Sequence, residues 1–216
     1  ERWNLADAAP PSGRWPRVIK PRLGAGSTAT FRVDDPEGFR DLRSRLQTEP
    51  TLRDAVVQPW MPGVSASVAV LCEGDGGRCH PLPVAHQRLS QDGRFHYLGG
   101  ELPLSSRLAP RARELASAAC RSIPGLRGYV GVDLLLDEQA GTVTVVEMNP
   151  RLTTSYLGYR RLALPQRLDE GDVLSGMGAL ARTLIWPRLA TKQLQFAESP
   201  TVEFGTTDTS PGSEHS

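Results

Sequence analysis

Apolar and polar residues alternate along many short stretches of this chain, and apolar residues recur at helical spacing along a few longer ones. Short runs at 17–21, 30–33, 55–58, 65–71, 82–88 and 95–98, bounded by proline, glycine or polar turn residues, predict strands. Pro21 and Pro59 end two of them, because proline cannot donate to a ladder. Asp35-Pro36 opens a predicted helix with Phe39, Leu42 and Leu46 on one face, ending before Pro50. Leu108, Ala112, Leu115, Ala116, Ala119 and Ile123 form the stripe of a second, over 106–123. Shorter helical runs follow near 154–164 and 172–186. Beyond Lys192 the text is Ser, Thr, Pro and Gly with little apolar content, which predicts a disordered tail over 193–216. The pattern is α+β and rich in antiparallel pairing, with a small lobe over 1–62 and a larger one over 63–192.

The most informative stretch is a predicted hairpin. Val130-Gly131-Val132-Asp133-Leu134-Leu135-Leu136 and Val145-Val146-Glu147-Met148-Asn149-Pro150-Arg151 flank the polar, glycine-containing turn 137–142. A turn centred near Ala140 sets Asp133 opposite Glu147, with Asn149 one step further on the same face. Two carboxylates facing across a ladder repel unless a cation joins them. An all-oxygen set of Asp133, Glu147 and Asn149 suits Mg²⁺, which takes a few oxygen ligands alongside phosphate and water. The alternative is an amphipathic hairpin with a wet face.

Composition narrows the classes of function. The chain has 216 residues, enough for one domain or two joined ones. Its 25 basic and 24 acidic residues nearly cancel, so no broad footprint for nucleic acid or a membrane surface is present. The three cysteines, Cys72, Cys79 and Cys120, lack metal-site spacing and fit a reducing, cytoplasmic setting. No apolar run has the length of a membrane span, and the start at Glu1 reads as a processed, excised or partial chain. Lys20 stands out because Lys192 is the other lysine and every further basic residue is arginine.

Lys20 ends the strand Val18-Ile19-Lys20-Pro21 and precedes Gly24-Ala25-Gly26-Ser27, where glycines let backbone N–H groups approach an anion. An exposed strand lysine and an ordinary hairpin turn are the plainer alternatives. Gln58-Pro59-Trp60-Met61-Pro62-Gly63 joins the two predicted lobes. Its backbone groups would pair with a flat heterocycle while Trp60 or Met61 covers it, unless it is a proline-rich loop around a core tryptophan.

In this order the elements resemble the ATP-grasp superfamily, over roughly residues 15–190. Asp133 followed by Glu147-Met148-Asn149-Pro150-Arg151 is the most specific part. Residues 149–158, with Tyr97-Leu98-Gly99-Gly100, resemble the branch containing tyramine–L-glutamate ligase, which serves methanofuran-type cofactor synthesis. The resemblance implies an ATP-grasp fold, two lobes of antiparallel sheet plus helices clasping a nucleotide. It implies that Lys20 meets ATP phosphates under a flap of Gly24, Gly26 and Ser27. Gln58, Pro59, Trp60 and Met61 would hold the adenine, and Ser65 stands about where a ribose-binding Glu is expected. Asp133, Glu147 and Asn149 would bind Mg²⁺ (or Mn²⁺), and Arg151 the substrate carboxylate or acyl phosphate. The implied reaction joins a small-molecule carboxylate to an amine through an acyl phosphate. The resemblance also implies an N-terminal domain that helps build the acceptor pocket; this sequence reads as lacking it, and that domain or a homodimer partner is expected. A nucleotide-binding module without turnover is the rival reading.

Overall fold

The computed structural model describes residues 2–3, 12–24, 26–45, 54–74, 77–163 and 202–204. Strand β1 is Arg2–Trp3 and β2 is Arg17–Pro21. Strand β3, Phe31–Val33, leads to helix α1, Pro36–Arg45, and then to β4, Ala55–Pro59. The long strand β5, Val64–Glu73, precedes β6, Cys79–Pro81, β7, Ala85–Leu89, and β8, Tyr97–Leu102. Helix α2, Ala109–Arg121, is followed by β9, Arg127–Asp137, and β10, Thr142–Asn149. Helix α3 is Ser155–Ala163 and β11 is Val202–Phe204. Leu46, Ala25, the predicted helix at 172–186 and the 193–216 stretch apart from β11 lie outside the described residues.

The chain divides into two compact units, one of Glu1–Gly63 with Arg88–Leu98, the other of Val64–Gln87 with Gly99–Ser216. Arg88–Leu98 thus groups with the first unit although it lies within the 63–192 stretch. In the first unit, β1, β4, β2 and β3 form an antiparallel sheet in that order. Asp35 caps α1: its Oδ1 accepts the N–H groups of Glu37 at 2.9 Å and Gly38 at 2.8 Å. The helix buries Phe39 and Leu42 against Ile19, Val33, Ala55 and Val57. That contact removes several large side chains from water, each worth about 1.5–3 kcal/mol.

In the second sheet the order is β10, β9, β5, β7, β8, β11, with β6 paired to β5. One face is the core. Val130, Val132, Leu134 and Leu136 of β9 and Ala66, Val68, Val70 and Cys72 of β5 all point there. Helix α2 presents Ala112, Ala116 and Cys120 to them, four residues apart. Small residues on that stripe let the helix approach the sheet closely. The opposite face of β5, β9 and β10 carries the polar residues considered next. Among the described residues, no helix is long and apolar enough to cross a membrane.

Candidate functional site

The β9–β10 hairpin closes through Asp137, whose Oδ1 accepts the N–H groups of Gln139 and Ala140, each at 2.9 Å. Gly141 takes φ +65°, which a side chain would strain. This turn pairs Thr142 with Asp137, Val143 with Leu136 and Val145 with Leu134. Continued without a break, that register would set Val146 opposite Asp133. A β-bulge at Val146 adds one residue, and beyond it Glu147 pairs with Asp133, Met148 with Val132 and Asn149 with Gly131. Val143, Val145 and Met148 therefore all pack on the core, while Glu147 and Asn149 join Asp133 on the other face. The expected pairing of Asp133 with Glu147 is present, and the bulge produces it.

Asp133 is held on both oxygens. Gln87 donates its Nε2 to Oδ1 at 2.9 Å, and Asn149 donates its Nδ2 to Oδ2 at 3.1 Å. Glu147 lies opposite on the exposed edge strand. On the inner side Ser67 is the ladder partner of Asp133; it is 1 % exposed, and its Oγ has no hydrogen-bond partner among the described residues. Ser65, half-buried, stands two residues along the same face. Two carboxylates, an amide and an orphaned hydroxyl make a hard, all-oxygen donor set. It fits Mg²⁺, and it contains none of the soft ligands that a zinc centre favours. Among the described residues, no group of three His, Cys, Asp or Glu residues stands together as a metal cage.

Beyond β10 the chain turns sharply, the Arg151 N–H donating to the Asn149 C=O at 2.7 Å. Arg151 is exposed, and its Nη1 donates to the Leu152 C=O at 3.2 Å. Hydroxyls fasten the next residues to the sheet: Tyr129 meets Thr153 at 3.1 Å and Ser155 at 3.4 Å, and Thr153 meets Ser155 at 2.9 Å. Burial pushes the Tyr129 phenol up, so it stays protonated in this network. The buried Tyr159 hydroxyl donates to the Pro83 C=O at 2.6 Å and accepts the Ala69 N–H at 3.4 Å. Thr153 also occupies the space beside Gly131, where a Cβ would come within 2.3 Å of its Cγ2. These contacts hold the turn that carries Arg151.

In the other unit, Lys20 is half-buried on the face of β2 opposite the fully buried Ile19, and pairs with Val56. Gly24, Gly26 and Ser27 belong to the loop that follows, and Ala25 lies outside the described residues. Gly26, Ser27 and Ala29 have φ of +64°, +59° and +53°, and the Thr30 N–H closes the turn on the Ser27 C=O at 3.1 Å. Left-handed backbone at Ser27 and Ala29 costs roughly 1–2 kcal/mol per residue. Gln58 pairs with Val18 and Pro59 with Arg17, and Met61 is exposed. The backbone N–H of Trp60 donates to the Pro16 C=O at 3.1 Å, and the Arg32 guanidinium lies 4.4 Å from the Trp60 ring centroid. A heterocycle resting on Trp60 would therefore take the face away from Arg32.

Of the predicted residues, Asp133, Glu147, Asn149 and Ser65 share one face, Arg151 follows them, and Lys20, Gly24, Gly26, Ser27, Gln58, Pro59, Trp60 and Met61 lie in the other unit. Sequence reasoning missed Gln87, Ser67 and the Tyr129–Thr153–Ser155 network. The bulge did leave a sign in the text: Val143 and Val145 are in one phase and Met148 in the other, and such a change inside a strand marks an extra residue. Nothing along the chain could have matched Gln87 to Asp133.

A fold of two antiparallel units, one with a lysine and a left-handed glycine loop and one with an acidic hairpin, defines a class that the comparisons identify. A family model described as an ATP-grasp domain matches residues 5–155, and the chain belongs to this family. Tyramine–L-glutamate ligase of Methanocaldococcus fervens is 31% identical over 105 residues, 49% of this chain and 33% of that protein. The [butirosin acyl-carrier protein]–L-glutamate ligase of Niallia circulans is 28% identical over 138 residues, 63% of this chain and 33% of that one. The chain thus spans about a third of the length of the curated relatives it matches. L-Amino acid ligase from Bacillus licheniformis superposes with a TM-score of 0.56 at 21% identity, covering 74% of this chain and 37% of that one. Biotin carboxylase from Campylobacter jejuni in its β,γ-ATP complex gives 0.56 at 18% identity, over 69% and 34%. The two solved structures show the shared fold.

Proposed function

We propose that this chain is the nucleotide- and magnesium-binding body of an ATP-dependent carboxylate–amine ligase. The observation that carries the reading is the bulged hairpin, which spends an irregular residue to bring Glu147 and Asn149 onto the face of Asp133. A ladder that sets two carboxylates opposite each other is costly without a cation. Asp133, Glu147 and Asn149 would hold Mg²⁺, with Gln87 fixing the orientation of Asp133. The ion would neutralise phosphate charge as it shifts between oxygens. Lys20 and the N–H groups of the 24–27 loop would hold ATP phosphates, and Gln58, Pro59 and Met61 the adenine edge. Arg151 offers a planar fork to a carboxylate or to the acyl phosphate made from it. In that chemistry a carboxylate oxygen attacks the γ-phosphorus and ADP leaves. An amine then attacks the acyl carbon and phosphate leaves, giving the amide.

L-Glutamate is named in two relatives whose other substrates differ, which supports glutamate as the carboxylate-bearing substrate here. A tyramine-like amine, within a methanofuran-type pathway, is the acceptor we favour. Calorimetric titration of the chain with a non-hydrolysable ATP analogue, with and without Mg²⁺, tests the nucleotide site. Tight binding only with magnesium is the expected result, and ADP release is then measured with glutamate and tyramine together and singly. Equal binding with and without the ion would remove the hairpin from the mechanism.

A further inference from the structure

Far along β5 from Ser67, at the hairpin formed with β6, three thiols cluster that the ligase chemistry does not use. Cys72 and Cys79 are cross-strand partners with their sulfurs 3.3 Å apart, the Cys79 S–H donating to the Cys72 sulfur. Cys120 of α2 belongs to the same buried cluster as Cys72, with Cys79 packed against it. The ladder shows which kind of pair this is. Hydrogen bonds from Glu73 N–H to Arg78 C=O at 3.0 Å and from Leu82 N–H to Ala69 C=O at 2.8 Å mark those as the bonded positions. Alternation makes Cys72 and Cys79 a non-hydrogen-bonded pair, where Cα atoms approach to about 4.5 Å. That is inside the range of roughly 4.4–6.8 Å that a disulfide spans.

Exposure separates the roles. Cys72 and Cys120 are each 1 % exposed, whereas Cys79 is half-buried and open to a small oxidant. Burial also pushes the Cys120 thiol up to about 11 and Cys72 higher still, so neither starts the reaction. We infer that Cys72 and Cys79 form a reversible disulfide when the protein meets a peroxide, with Cys79 oxidised first and Cys72 resolving it. The Cys79 sulfur attacks one oxygen of hydrogen peroxide, the O–O bond breaks, and hydroxide takes up a proton to leave as water. Cys79 is then a sulfenic acid. The Cys72 sulfur attacks the Cys79 sulfur, the S–O bond breaks, and the departing hydroxide takes the Cys72 proton as a second water. Two electrons pass from the two thiols to the peroxide, and an added dithiol restores both.

Arg78 makes the test direct, because trypsin cuts between the two cysteines. The full chain is treated with hydrogen peroxide, its remaining thiols are alkylated under denaturing conditions, and tryptic peptides are weighed. Peptide 54–78 joined to peptide 79–88, with Cys120 alkylated in peptide 114–121 and the link cleaved by dithiothreitol, is the expected result. Cys79→Ser should abolish the link and leave Cys72 alkylated; Cys120→Ser should leave the link intact. A Cys72–Cys120 link, three alkylated thiols, or Cys79 driven to sulfinic acid without a link in the parent protein would each overturn the inference.

Discussion

The two units present their candidate groups in opposite ways. In the second, the groups are side chains whose positions follow from ladder register: Asp133 between Gln87 and Asn149, with Glu147 and Ser67 as its neighbours on the flanking strands. In the first, they are mostly backbone, in an exposed loop with three left-handed residues, beside a single lysine. A metal ion needs oxygens at fixed separations, which a sheet supplies rigidly. A phosphate needs converging N–H groups, which a glycine turn supplies with few side-chain constraints. Side-chain changes should therefore break the second unit's function and leave its fold, while in the first unit it is the backbone that is sensitive.

The sharpest test is Asp133→Asn, which keeps shape and removes charge. Magnesium-dependent affinity for an ATP analogue should fall by about 100-fold or more, about 2.8 kcal/mol, with the melting temperature unchanged or raised. Retained affinity by calorimetry would sink the metal assignment. Gln87→Leu is next: without its donor, Asp133 loses its orientation, and metal affinity should drop about 10-fold or more while the apo fold holds. A loss of fold comparable to the loss of binding would make Gln87 a packing residue.

Gly131→Ala probes the support beneath the hairpin rather than its ligands. Its Cβ would collide with Thr153, and overpacking of this kind costs about 1–3 kcal/mol, read by denaturant unfolding. Restored stability in Gly131→Ala combined with Thr153→Ser would confirm the contact. In the first unit, Gly26→Ala meets no neighbour but must adopt φ +64°. Its cost of about 1 kcal/mol should fall on the loop, so nucleotide affinity drops several-fold with little change in melting. Equal affinity would place the loop away from the phosphates.

The smallest effect concerns pH. The Ser106 hydroxyl and then Arg107 hold the Glu138 carboxyl below its usual range, tying the approach to α2 to the β9–β10 turn. A lowered folded-state value contributes stability that is complete above the ordinary 4.5 and lost as pH falls through the folded value. Melting measured downward from pH 5 should show this loss, and Glu138→Gln should flatten it. An unaltered profile in the variant would assign the acid sensitivity to Glu73 or Asp92, which are also held low.

Alternation was enough to place Glu147 and Asn149 on one face, because a strand exposes its faces with a fixed period of two, and the bulge then set Glu147 opposite Asp133. Asp35-Pro36 announced α1, and the apolar stripe of 106–123 contained α2, since caps and helical periodicity are local properties. The family, too, was legible: a model described as an ATP-grasp domain matches residues 5–155. Other features depended on which strands lie side by side. Gln87 reaches Asp133 across 46 positions, Ser67 becomes its neighbour through the β5–β9 ladder, and Tyr129 finds Thr153 only after β10 has returned past Gly131. The bulge belongs to both levels. Its phase change is written in Val143, Val145 and Met148, but the partner of Glu147 is settled by pairing, because one inserted residue moves every later side chain by one step of the ladder.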